Sequence, residues 1–159
     1  MISCTEFIPA YSELFRFIEE REGYEGVKAY WNEISDRYVE QRLGSEVRQH
    51  GLAGCFHYWS QTLNEEAADF TMTLDEEKGF FEIVMHHCPS KGRLLEFTHM
   101  TPYDKYDIHC DVLYRRVLEK FGFVYLYQLP KAHEACCSLR VYDPKFADPE
   151  EIKKAQGLA

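Results

Sequence analysis

The period of the apolar residues first changes abruptly near residue 67. Before it, apolar side chains recur every three or four residues. After it, in "ADFTMTLD", Ala68, Phe70, Met72 and Leu74 alternate with Asp69, Thr71 and Thr73. Strict alternation is the mark of a half-buried strand, and a spacing of three to four is that of an amphipathic helix. The chain must therefore build helices first and then a sheet. "DEEKG" reads as a turn and "FFEIVMHH" as the next strand, so the two strands form a hairpin.

Upstream, Tyr11, Leu14, Phe15 and Ile18 place a helix over about residues 9–22, with Pro9 at its start. Gly23 and Gly26 interrupt it. Tyr24, Val27, Tyr30, Trp31, Ile34 and Tyr38 mark a second helix. A short helix follows around residues 45–50, and Cys55, Tyr58, Trp59 and Leu63 mark another that ends near Glu66. Beyond Pro89 the chain is helical or irregular. "YDKYDIHCDVLYRRVLEKFG" is a strong helix with Tyr106, Cys110, Leu113, Tyr114, Val117, Leu118 and Phe121 on its apolar stripe and Gly122 as the cap. "FVYLYQL" and "ACCSLRVY" give two more strands, and residues 143–159 form a polar tail. Strands in adjacent pairs read as an antiparallel sheet. The expected fold is α+β: N-terminal helices packed on a four-stranded antiparallel sheet, with a further helix between the two strand pairs. At 159 residues the chain fits a single domain.

A formal charge of −9 argues against a nucleic-acid partner, which calls for a basic patch. No apolar run approaches the roughly 20 residues of a membrane span, and the first residues do not form a signal peptide. The expected location is the cytoplasm. There the six cysteines stay as thiols, so metal binding or thiol chemistry is a better reading of them than a disulfide framework.

Three places set His and Cys side by side: His86-His87-Cys88, His109-Cys110-Asp111, and His133-Glu134-Ala135-Cys136-Cys137. Alternation along the second strand puts His87 with Phe81, Ile83 and Met85 on one face and His86 on the other. In the last strand Cys137, Leu139 and Val141 share a face, so Cys136 and Cys137 diverge. Cys110 lies on the apolar stripe, and Asp111 lies about 100° round from it, with Arg115 one turn further on. Cys4, Cys55 and Cys137, taken singly, read as small core hydrophobes. His50, His86 and His99 read as solvated. No cysteine spacing matches a close-spaced zinc signature, so Cys88, Cys110, Cys136 and Cys137 are metal candidates only if the fold brings them together around zinc or another transition ion. The sharper expectation is that these sulfurs and their histidines converge. A thiolate needs a neighbouring base or positive field, which a histidine oriented by a carboxylate supplies.

An aromatic-rich helical half with Trp31 and Trp59, then Cys88-Pro89 after a strand, Cys110-Asp111 in a helix, and Cys136 or Cys137 in the closing strand resemble the L-2-amino-thiazoline-4-carboxylic acid hydrolase-like family. The resemblance covers mainly residues 79–142. Where that family often has Gly-Asp before the last Cys, this chain has His133-Glu134, which bears on the substrate. The resemblance implies hydrolysis of a C–N bond in a small cyclic amidine or thiazoline. In that reading Cys88, or a water, is the nucleophile, and Cys110 belongs to the same thiol site. His87 or His109 is the base, and Asp111 orients it. Glu134 is a reserve acid beside His133, and Arg140 grips a substrate carboxylate. Two alternatives stay open: a metal-dependent version of the same enzyme, and a non-catalytic module that binds a small ligand. Tyr103 and Tyr106, if exposed, would call for a second copy of the chain as cover, that is, a homodimer.

Overall fold

A computed structural model describes residues 4–129, 131, 133–146 and 148–155, without the side chains of residues 4, 5, 153 and 155. The side chain of Cys4, expected as core filler, therefore lies outside the described residues. The chain opens with α1 (Cys4–Ile34), broken at Gly23, whose φ of 71° only glycine adopts without strain. Pro9 lies inside α1 rather than at its start, and forfeits a single backbone hydrogen bond there. A wide-turned π segment, Ser35–Gly44, continues the helical path. Next come α2 (Ser45–His50) and α3 (Leu52–Glu65). The hairpin of β1 (Asp69–Asp75) and β2 (Phe80–His87) follows. After α4 (Lys91–Glu96) and α5 (Ile108–Lys120) come β3 (Val124–Gln128) and β4 (Cys137–Tyr142). Pro149–Ala155 forms α6 within the expected polar tail.

The four strands make one antiparallel sheet in the order β1-β2-β4-β3. Pairing β2 with β4 places these two strands in the middle. The register then sets rows across one face: Leu74, Phe81, Val141 and Tyr125; Met72, Ile83, Leu139 and Tyr127; Phe70, Met85 and Cys137. α3 covers the β1–β2 half of this face, and α5 contacts β3. Trp59 stacks on Phe81 with ring centroids 5.5 Å apart. Leu113, Val117 and Leu118 of α5 are buried, and α1 packs behind α5 through Phe15, Val27 and Trp31. Ser35 donates its hydroxyl to the Leu113 carbonyl at 2.8 Å, tying the π segment to α5. Arg115 reaches the other way, donating to the Tyr125 carbonyl on β3 at 2.8 Å.

The far face of the sheet is mixed, with Phe80, Val84 and the buried Leu126 set among polar residues. Arg140 pairs there with Glu82 on the neighbouring strand, and His86 bonds Thr71 at 2.8 Å. Tyr103 and Tyr106 are buried, each 3% exposed, so the reason they gave for a covering second copy falls away.

Candidate functional site

Where the sheet's inner face runs out past Met85 and Cys137, the helices do not close over it, and a cavity of about 340 Å³ remains. That is within the range of small-ligand sites. One wall is apolar: Ile8, Trp59, Leu63, Ile83, Met85 and Leu139. The rest is built by the ends of elements. Cys88 leaves β2 and donates its N–H to the Ala135 carbonyl at 2.6 Å, which carries the β2–β4 pairing one step beyond Met85 and Cys137. That step brings Cys88, Cys136 and Cys137 to the cavity. α5 contributes Cys110 from its first turn. Four cysteines thus line one cavity, and Cys55 is buried elsewhere in the core.

The His109 ring is 8% exposed and sits among the rings of Tyr106, Tyr11 and Phe15, with centroids 4.8, 5.5 and 5.7 Å away. Its Nδ1 contacts the Tyr106 carbonyl, which can only accept, so Nδ1 carries the proton. Nε2 is then the acceptor, and Cys110 Sγ lies 3.5 Å from it. Burial pushes the imidazole pKa down to about 4, so it is neutral at pH 7. Burial likewise raises the thiols of Cys88 and Cys110, the second well above its ordinary value, and pushes Cys137 up to about 11. Neighbouring thiols and Asp107 add to the rise at Cys110. These three sulfurs are protonated at neutral pH.

The charge in the wall comes from residues that sequence reasoning passed over. Lys91 Nζ donates to Asp107 Oδ2 at 2.5 Å and to the Lys131 carbonyl at 3.1 Å. Burial raises the Asp107 carboxyl, and Lys91 draws it partly back. Ser90 and Tyr106 hydroxyls bond each other at 2.6 Å beside them. The available signal was spacing. Asp107 stands three residues before Cys110 and so shares its helix face, whereas Asp111 at the next position does not. Lys91 stands three residues after Cys88, and its N–H reaches Cys88 Sγ at 3.4 Å.

Of the sequence candidates, Cys88, His109, Cys110, Cys136 and Cys137 meet at the cavity. The others do not line it. Asp111 turns to the opposite side of α5, where Arg115 holds it at 2.7 Å, so it cannot orient His109. His87 packs over Gly92 of α4. Arg140 is on the sheet's far face, since alternation sets it opposite Leu139, and Glu82 occupies it. Glu134 pairs with Lys131 at 3.3 Å, and His133 is exposed.

Sharing a cavity does not make the four thiols a ligand cluster. Among the described residues, the group of at least three His, Cys, Asp or Glu side chains with ligand atoms within 4.8 Å of one another is Glu46, His50 and His57, at the α2–α3 corner. Among the described residues no helix is long and apolar enough to cross a membrane. No protein-family model, curated protein or solved structure matches this chain.

Proposed function

We propose that the cavity hydrolyses a C–N bond of a small cyclic amidine or thiazoline-like molecule. The observation carrying this reading is the approach of Cys110 Sγ to the acceptor nitrogen of a neutral, tautomer-fixed His109 inside a ligand-sized cavity. The resemblance at Cys88-Pro89 and Cys110-Asp111 points the same way.

Because the Cys110 thiol is protonated, its attack must be coupled to proton loss. Sγ adds to the amidine carbon while its proton moves to His109 Nε2. The ring C–N bond then breaks, and His109 returns the proton to the departing nitrogen. This leaves a thioimidate on Cys110. Water adds to that carbon through the same imidazole and expels the thiol, leaving a carbonyl. The net change is addition of one water. Among the described lining residues Lys91 is the cation, and it takes the carboxylate-holding part expected of Arg140.

The test is turnover of L-2-amino-thiazoline-4-carboxylate and a series of cyclic amidines, with ring-opened product detected by mass spectrometry. Cys110→Ser and His109→Gln should each cost about a hundredfold or more in kcat. Lys91→Met should raise KM for carboxylated substrates and leave uncharged ones alone. Turnover unaffected by Cys110→Ser, or none with any substrate in the series, defeats the reading.

A second reading has its own support. An apolar wall and protonated thiols suit a module that holds a small uncharged ligand without changing it. Native mass spectrometry decides between them: ligand recovered intact favours binding, and ring-opened product favours the hydrolase.

A further inference from the structure

Glu46 and His50 stand four residues apart on α2 and so project from the same face. The chain turns at Gly51 and returns as α3, which crosses α2 very closely at Gly54. A Cβ there would strike the Glu46 carbonyl, so only glycine permits the approach. His57 stands one turn beyond Gly54 on α3 and is therefore carried over the same spot. Its Nδ1 lies 3.4 Å from Glu46 Oε2, and His50 Nε2 lies 4.0 Å from that oxygen. The two imidazoles meet edge to face with centroids 4.8 Å apart.

We propose that Glu46, His50 and His57 form a surface site for a divalent transition metal ion of the zinc class. Both the spacing and the ligand types fit such an ion. Zinc–nitrogen and zinc–oxygen bonds of about 2.0–2.1 Å place tetrahedral ligands about 3.4 Å apart. The Glu46–His57 separation already has that value, and the Glu46–His50 separation needs a few tenths of an ångström from half-exposed side chains free to turn. Two imidazoles and a carboxylate suit zinc, copper and nickel and are poor for calcium or magnesium. The ligands are partly open to solvent, so water completes the sphere. The site is separate from the thiol cavity and does not depend on the activity proposed there.

Cobalt(II) separates the two places by colour. Chelator-stripped protein should bind one equivalent with visible d–d bands and without the near-ultraviolet charge-transfer band of a cobalt–thiolate bond. His57→Ala and Glu46→Gln should each weaken that binding by about tenfold or more. Both changes are at the surface, and far-ultraviolet dichroism checks that the fold persists. Absence of cobalt binding overturns the site. So does binding that carries only the thiolate band, or binding that survives both substitutions.

Discussion

At its N-terminal end α5 sets Asp107 against Lys91 inside the cavity wall, and at its C-terminal end it sets Arg116 and Lys120 against Asp36 and Glu40 in water. The Lys91 and Asp107 side chains are 8% and 18% exposed, and those of Arg116 and Asp36 are 41% and 37% exposed. The two aspartates respond in opposite senses. Two cationic donors hold the Asp36 carboxyl well below the ordinary carboxylate range, while burial lifts Asp107 despite its lysine. A pair in water gains little and is screened, whereas a buried pair stakes two desolvation penalties on one contact. The inner end of α5 is therefore costly to build, and it is the end that faces the cavity.

Asp107→Ala is the strongest way to break this contrast. It strands a buried ammonium and should cost about 3 kcal/mol in urea unfolding. The double change Lys91→Met with Asp107→Leu should recover most of that, because no charge is left unpaired. A cost for Asp107→Ala no larger than that of a surface pair would erase the difference between the two ends.

Acid sharpens the comparison through His109. Its folded pKa is depressed from 6.5 to about 4, so the unfolded chain binds the proton more readily between those values. The stability this gives is fully present above pH 6.5 and is lost as the pH falls to about 4, a loss of about 3 kcal/mol. Asp107 acts in the opposite sense, since its raised pKa makes the folded state the better proton binder. Unfolding free energies across this window should fall with acid in the wild type and much less in His109→Gln. An equally steep fall in the variant would assign the effect to another group.

The smallest effect belongs to the outer end. Asp36→Asn should cost less than about 1 kcal/mol, and high salt should remove most of that. Its depressed pKa places the corresponding loss below pH 4, as the carboxylate takes up its proton. A large cost that salt does not touch would mean that this end, too, is shielded from water.

The sheet was legible because alternation is a direct record of which side of a strand is covered. Phe81, Ile83 and Met85 are inward, as the period of two requires. Cys136 and Cys137, expected to diverge, both line the cavity, because β4 begins only at Cys137 and alternation does not govern the residue ahead of it. The break at Gly23 was legible because the residue has no side chain to resist it. The π segment was not, since Tyr38 keeps a helical spacing whichever way the turns widen. The residues that share the cavity come partly from neighbours along the chain and partly from distant thiols that the fold brings to one place. His109 and Cys110 are such neighbours. Asp111 was adjacent in sequence and wrong in azimuth, and Asp107 was the reverse. Lys91 and Asp107 meet only because α4 and α5 pack around one cavity, which no local pattern records.

Arg115 bears on how the protein behaves when crowded. β3 is an outer strand of the sheet, and its main chain is where a foreign segment could add itself and begin aggregation. By occupying the Tyr125 carbonyl from α5, the guanidinium engages part of that template. The side chain that pairs with Asp111 on α5 thus also covers part of an outer strand's main chain.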